Sequence, residues 1–351
     1  MTRGVPPPEV FPTEEMVSCA GEALRRDPSV LLQYGSAQGY TPLREWLGQQ
    51  NNVSPSQILM GNSSLELFAF LTQVVVKPGQ RVFVESPSYD RSITLIRRAG
   101  GEVVGIPLEG DGVNLDALEA ELKKGVPSLF YLISDFQNPM GVTTGAAKRE
   151  RIVALARQYG FWVVEDAPYR SLRYRGQEAP TLLSMAPDRV LHMSSFSKVL
   201  SPGVRLGYLI GPAEMVAKLT AWAVDTYIGP VLPTQGMVYE YCRRGLLGTN
   251  IARLKEVYRP RLEATFAALE RHLPGTTWST PEGGFFVALH LPKGSDIETL
   301  MGRADEAGLK LSDGRGFFPN PEDGRRFLRI PFCSVKPDDM DVAMTRLAKI
   351  L

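Results

Sequence analysis

Residues 146–166 read AAKRERIVALARQYGFWVVED. The stretch Ala146–Tyr159 is amphipathic and helix-like, and the run Phe161–Glu165 that follows is aromatic, β-branched and strand-like. The same alternation extends in both directions. Upstream lie strand-like Gln57–Met60, Arg81–Glu85, Glu102–Ile106 and Leu129–Ile133, separated by helix-like Ser64–Val75, Tyr89–Ala99 and Leu115–Lys123. Downstream lie strand-like Val190–Met193 and Leu206–Ile210. Strand–helix alternation on this scale predicts an α/β fold with a mostly parallel sheet covered by helices on both faces. A further helix is expected from Thr41-Pro42, the hydroxyl capping and the proline taking the first helical position.

After Gly211 the pattern changes. Helix-like Ala213–Tyr227, Thr234–Arg244 and a long stretch from Asn250 to Leu273 precede strand-like Phe285–Leu289, helix-like Asp296–Ala307, strand-like Phe327–Ile330 and a terminal helix from Pro337. The expected division is an N-terminal arm (1–33) joining the small domain, a large α/β domain (34–245) and a small α+β C-terminal domain (246–351).

Composition narrows the function classes. With 44% hydrophobic and 22% charged residues, the 351-residue chain has enough apolar material for a large core. Thirty-nine basic against 38 acidic residues give a net charge of +1 and no electrostatic case for nucleic acid or an anionic membrane. The N-terminal Met-Thr-Arg-Gly-Val-Pro-Pro-Pro has no apolar core for a signal peptide. The longest apolar stretch, Leu65 to Val76, is interrupted by Glu66, Thr72 and Gln73, so no membrane span is expected and the protein reads as cytoplasmic. Cys19, Cys242 and Cys333 are too scattered for a disulfide framework or zinc site. His192, His272 and His290 make no ligand-like pair, which argues against metal and Ser-His-Asp chemistry.

The chemistry concentrates at strand ends, where open α/β sheets bind ligands. Ser194-Ser195-Phe196-Ser197-Lys198-Val199-Leu200-Ser201-Pro202-Gly203-Val204-Arg205 places a lysine among hydroxyls, with an arginine seven residues on. A desolvated lysine amine forms Schiff bases, and hydroxyls with a guanidinium suit a phosphate dianion. Alone, the segment reads more readily as a polar loop with a surface lysine. Glu165-Asp166-Ala167-Pro168-Tyr169 ends another strand, and an acid there needs a cationic partner such as a protonated pyridine nitrogen. In Ser134-Asp135-Phe136-Gln137-Asn138-Pro139-Met140-Gly141, Asn138 is biased away from helix and could offer its amide to a phenolic oxygen, or form a plain turn. Gly61-Asn62-Ser63-Ser64, between a strand and an apolar helix, is either an anion site or an ordinary helix cap. Ser86-Pro87-Ser88-Tyr89 offers an aromatic face for a planar ring.

In this order the motifs resemble the fold-type I, pyridoxal-phosphate-dependent aminotransferases of class I/II. The likeness is closer to the branch holding 2-aminoadipate aminotransferases and the effector domains of aminotransferase-like transcription regulators. It extends from Gly4-Val5-Pro6 and Phe11-Pro12, through Gln33-Tyr34-Gly35 and Gly39-Tyr40-Thr41-Pro42-Leu43-Arg44, to Pro281-Glu282-Gly283-Gly284-Phe285 and Leu328-Arg329-Ile330-Pro331-Phe332. The resemblance implies pyridoxal 5'-phosphate held as an aldimine on Lys198, which also shuttles the proton. It puts Asp166 against the pyridine nitrogen, Asn138 and Tyr169 at the ring hydroxyl oxygen, and Tyr89 on the ring face. Asn62, Ser63, Ser64, Ser195, Ser197 and Arg205 would surround the phosphate. Arg329 would clamp the substrate α-carboxylate, with Asn138 beside it. Tyr34 would reach the phosphate of a neighbouring subunit, making a homodimer with shared active sites.

Several positions depart from the family pattern: Met140 and Pro331 replace a threonine and an asparagine, Ser63-Ser64 replaces a small-residue–Gln pair, and Ser134-Asp135 replaces Pro-Ser. The expected activity is transfer of an α-amino group from an amino acid to a 2-oxo acid. The alternatives on the same frame are another pyridoxal-phosphate reaction (lyase, cyclase or racemase) or a non-catalytic amino-acid-sensing domain.

Overall fold

The strand-like runs of the first two-thirds of the chain form β1 (Ile58–Gly61), β2 (Arg81–Ser86), β3 (Glu102–Glu109), β4 (Gly112–Val113), β5 (Leu129–Leu132), β6 (Trp162–Asp166), β7 (Val190–Ser195) and β8 (Gly207–Ile210). The computed structural model describes Thr2 and residues 4–351. These strands make one eight-stranded sheet in the order β1-β8-β7-β6-β5-β2-β3-β4. Pairing is parallel from β3 through β2, β5 and β6 to β7. It is antiparallel where β8 meets β7 and β1, and in the β3–β4 hairpin. Successive strand residues point to opposite faces, and every residue of β1 and β5 is buried. Both faces are therefore covered, and the apolar runs carry no alternation because neither face meets water.

The crossover helices sit where their periodicity places them. Ser64–Val75 and Ala146–Tyr159 have the expected bounds, while the others are Asp90–Arg98 and Leu115–Lys124. Thr41–Asn51 is a helix with Pro42 in its first turn, but Thr41 does not cap it. Tyr40 holds the cap position, and the Thr41 hydroxyl instead accepts from Arg44 Nη2 at 3.1 Å. A helix not foreseen from the sequence, Thr13–Arg26, packs on helix Leu232–Arg243.

The rest of the chain builds a second, antiparallel sheet from β9 (Thr277–Trp278), β10 (Phe286–His290) and β11 (Phe327–Pro331) in the order β11-β10-β9. It is accompanied by helices Leu246–His272, Ile297–Glu306 and Pro337–Ile350. The long helix begins four residues earlier than the sequence pattern placed it and runs through Pro260. The β10–β11 register pairs Ala288 with Arg329.

Candidate active site

The C-terminal ends of β1, β2, β5, β6 and β7 open on a cavity of about 580 Å³, closed from the opposite side by Phe286, Phe317 and Arg329. Ser63, Ser64, Tyr89, Asn138, Asp166, Tyr169, Ser195, Ser197, Lys198, Arg205 and Arg329 all line it. Eleven of the thirteen residues singled out from the sequence thus meet in one place.

At one end is an anion cradle. Ser63 caps helix Ser64–Val75, its hydroxyl accepting the Glu66 N–H at 3.0 Å, so the helix N-terminus faces the cavity. Ser195 Oγ accepts the Ser197 N–H at 3.1 Å and lies 2.9 Å from Ser197 Oγ. Arg205 has a left-handed backbone (φ 44°) at the end of the short turn Pro202–Val204. The close approach of β8 to the start of helix Ser64–Val75 requires Gly207, where a Cβ would lie 2.3 Å from Ser64 N.

At the floor is Asp166, and strand alternation explains why it and not Glu165 is presented. Glu165 points to the opposite face, where it accepts from His192 Nδ1 (2.9 Å), Ser134 Oγ (2.9 Å) and the Leu182 N–H (2.9 Å). Asp166 Oδ2 accepts the Tyr131 hydroxyl at 2.6 Å, while its Oδ1 is buried with no hydrogen-bond partner. Burial pushes the Asp166 carboxyl up to about 6, against the Tyr131 bond and the charges of His192 and Lys198.

Lys198 leaves the loop after β7, and its Nζ donates to Gly4 O at 3.1 Å. The amine stands 5.7 Å from the Tyr169 ring centre and 5.8 Å from that of Phe285. Burial pulls its pKa below the ordinary lysine value, aided by the charges of Arg329 and Arg205 and opposed by Cys333 and Asp166. Tyr169 and Tyr89 are pushed up in turn, first by burial, Tyr89 to about 12.

Arg329 reaches in from β11 with its guanidinium between Phe286 and Phe317, 4.5 and 4.6 Å from the ring centres. Its Nη1 donates to Asn138 Oδ1 at 2.9 Å and its Nη2 to Thr2 O at 3.0 Å, while Nε is buried without a partner. Asn138 is steadied from behind. Gln137 Nε2 donates to Glu85 Oε2 (3.0 Å) and to Pro87 O (2.9 Å), and burial pushes the Glu85 carboxyl up to about 8.

Two of the sequence-derived residues lie outside this cavity. Asn62 turns away from it: its Oδ1 accepts the Val231 N–H at 3.1 Å and its own N–H donates to Glu66 Oε2 at 2.8 Å. Tyr34 is 79% exposed on the surface. Conversely, Tyr131, Phe286 and Phe317 belong to the site and were not foreseen. A phenol inside the otherwise apolar β5 was the available signal for Tyr131, because a buried tyrosine hydroxyl needs a partner.

Two of the departures from the family pattern, Met140 and Asp135, have well-defined surroundings. Met140 packs with Ala288, Phe317 and Phe327 beneath the arginine. Asp135 is buried against Arg149 (3.0 Å), Arg170 (3.0 Å) and Arg173 (3.5 Å), an ion cluster under the Asn138 loop. Among the described residues no group of His, Cys, Asp and Glu could hold a metal ion.

The residues present fit pyridoxal 5'-phosphate. The partnerless Asp166 oxygen suits a protonated ring nitrogen. The serines, the helix N-terminus and Arg205, whose side chain pairs with no acid among the described residues, suit a phosphate dianion.

A helix-covered α/β sheet with a lysine, an aspartate and an anion cradle at its C-terminal edge, faced by an arginine from a smaller sheet, defines the class as fold-type I. Residues 10–347 match the family model "Aminotransferase class I and II", and the chain belongs to that family. It is 33% identical to aromatic-amino-acid aminotransferase 1 of Thermococcus litoralis, over 99% of this chain and 86% of that protein. It is also 33% identical to 2-aminoadipate transaminase of Thermus thermophilus, over 99% of this chain and 88% of that protein. The crystal structure of alpha-aminoadipate aminotransferase from Thermus thermophilus, complexed with N-(5'-phosphopyridoxyl)-L-leucine, superimposes with a TM-score of 0.94 at 32% identity. That match covers 100% of this chain and 91% of the other.

Proposed function

We propose that this chain is a pyridoxal-phosphate-dependent aminotransferase that moves the α-amino group of an amino acid to a 2-oxo acid. One observation carries the assignment of roles: a lysine amine, a partnerless aspartate oxygen and a buried arginine with a free Nε share one cavity. Bound pyridoxal phosphate supplies an electron-withdrawing ring. The chain supplies the rest. Lys198 is the covalent attachment point and, once released, the base that takes the substrate's α-proton and returns it. Asp166 Oδ1 holds a proton on the ring nitrogen. Tyr169 and the Asn138 amide N–H donate to the ring's phenolic oxygen, and Tyr89 covers the ring face. Ser63, Ser64, Ser195, Ser197 and Arg205 hold the phosphate, with Asn62 fixing the turn behind them. The domain division at 33/34 and 245/246 puts the phosphate cradle and Arg329 on different bodies.

Amino donor and oxo acceptor use the site in turn because both carry the α-carboxylate that suits Arg329. The test is a half-reaction screen that follows the visible cofactor absorption as each amino acid is added, beginning with 2-aminoadipate and the aromatic amino acids. Equimolar 2-oxo acid supports the proposal, and release of ammonia would assign a lyase instead.

Arg329→Lys keeps the charge but loses the planar fork. We expect kcat/KM to fall by ~1.5–3 kcal/mol, the worth of a charge-assisted bond. The same loss should not appear with the decarboxylated amine, and equal efficiency of native enzyme with amino acids and their amines would remove Arg329 from this role.

The proposed assembly is a homodimer with shared sites. Leu32 (71% exposed), Tyr34, Ile228 and Val231 are exposed apolar residues on neighbouring segments. The patch adjoins the cradle through the Val231–Asn62 bond. A C₂ partner would bury it and bring its own Tyr34 to the phosphate. Mixing inactive Lys198→Ala and Tyr34→Ala proteins after dissociation should restore activity, since each mixed dimer keeps one site free of both substitutions. A fully active stable monomer would refute it. The three cysteines are all buried free thiols, which suits the reducing cytoplasm proposed as its location.

A further inference from the structure

We propose that Tyr131 is a positioning residue for Asp166: its hydroxyl holds one carboxylate oxygen so that the other is turned, fixed and ionised, toward the ring nitrogen of pyridoxal phosphate. The inference rests on the assignment of Asp166 to that nitrogen.

The geometry follows from strand register. β5 and β6 are parallel with Tyr131 opposite Val164, so Tyr131 shares a sheet face with Val164 and with Asp166 two residues further on. Leu132 pairs with Glu165 on the other face, which leaves that acid outside Tyr131's reach. The Tyr131 ring is only 1% exposed and is held by Phe68, with ring centres 4.8 Å apart at an interplanar angle of 50°. From this fixed ring the O–H donates to Asp166 Oδ2 at 2.6 Å, in the range of a hydroxyl bonded to a charged oxygen. A carboxylate free to turn about its Cβ–Cγ bond would present either oxygen. With Oδ2 occupied, Oδ1 alone remains, and it is the buried atom without a partner in the cavity.

The bond also offsets the desolvation of Asp166. A hydroxyl donating to a carboxylate favours the charged form, whereas burial favours the neutral one. Without the phenol O–H the carboxyl would take the proton that should reside on the ring nitrogen, and a neutral ring is a poorer electron acceptor. Among the described residues no hydrogen bond or ring contact joins Tyr131 to the anion cradle or to Arg329; its partners are Asp166 and Phe68. Its contribution should therefore appear in cofactor affinity and kcat and leave the amino-acid KM unchanged.

The test is a double-mutant cycle read by equilibrium binding of pyridoxamine 5'-phosphate to the cofactor-free full-length protein, a probe that forms no bond to Lys198. Tyr131→Phe keeps the ring and its packing. It should weaken binding roughly tenfold or more, as loss of a bond to a charged group does, and lower kcat while the amino-acid KM stays within about twofold of native. In an Asp166→Ala background the same substitution should change the affinity less than about twofold, because the group it acts through is gone. Unchanged affinity in Tyr131→Phe overturns the proposal, as does an equal loss in both backgrounds. If Asp166→Ala itself binds like the native protein, the assignment of Asp166 falls and this inference with it. If Asp166→Ala weakens binding but Tyr131→Phe does not, only the role of Tyr131 falls.

Discussion

Lys198→Ala protein should fold normally, lose the visible absorption of its cofactor and turn over at most ~10⁻⁴ as fast as the native enzyme. The fold should survive because the side chain contributes little to it. Among the described residues its one hydrogen bond is to the Gly4 carbonyl, and its amine lies near the rings of Tyr169 and Phe285. The loop is fixed by backbone bonds, with the Val199 and Leu200 N–H groups both donating to Phe196 O. The chemistry should fail twice over. Among the described residues no other lysine lines the cavity, so the covalent attachment is lost. The base proposed for the α-proton would be lost with it, an amine whose pKa burial depresses, favouring the neutral, proton-accepting form. Borohydride reduction of native protein followed by peptide mass spectrometry should mark Lys198 alone. A mark on another lysine, or normal turnover by the alanine variant, would sink the assignment.

The parts of this molecule that the sequence announces are those whose environment is uniform along the chain. β5 and β1 are apolar throughout because both their faces are buried, and so the runs Leu129–Ile133 and Gln57–Met60 fall within a residue of the observed strands. Helix Ser64–Val75 is bounded by a serine whose side chain caps it and ends where the apolar periodicity ends. Helix Thr13–Arg26 carries a signal built mostly from small residues: Met16, Cys19, Ala20 and Ala23 recur at helical spacing behind Glu14 and Glu15 of its first turn. Cys19 and Ala23 are the residues buried in it, and their small side chains let it lie close on helix Leu232–Arg243.

Contacts between distant segments account for what was misplaced in the site. Asn62 stands beside the serines of the cradle, yet its amide is claimed by the Val231 N–H, 169 residues away. Thr41 precedes a proline as a capping residue would, but Arg44 takes its hydroxyl while also donating to Pro55 O. Tyr131 looks like one more residue of a buried strand until the β5–β6 register sets it beside Asp166. Lys198, Asp166 and Asn138 are legible because each lies at or beyond the end of an apolar strand, Asp166 closing β6 and the other two in the loops after β7 and β5, with a group that is costly to bury without a partner.

Asp166 should show the opposite of Lys198 in one respect: it matters for rate and costs the empty protein stability. Asp166→Ala is expected to slow α-proton loss by ~10³-fold, because Asp166 is the acid proposed to hold a proton on the ring nitrogen. Rapid-mixing measurement of the half-reaction checks this, and near-native rates would remove Asp166 from the role. The stability effect has a definite sign. Burial raises the carboxyl from 3.8 to about 6 in the cofactor-free fold. The unfolded chain therefore loses this proton more readily than the native one. The contribution to stability is fully present below pH 3.8 and is lost as pH rises through 6, a change of ~3 kcal/mol for a displacement of this size. Asp166→Asn removes the titration and keeps an oxygen for the Tyr131 hydroxyl. The cofactor-free Asn variant should therefore gain up to ~3 kcal/mol relative to native protein between about pH 4 and pH 6 and hold that advantage at neutral pH. Denaturant unfolding of both cofactor-free proteins at about pH 4, 6 and 7.5 measures it. A native protein that gains on the Asn variant as pH rises would show that Asp166 is ionised without cost, and that its free oxygen is satisfied by something other than the cofactor.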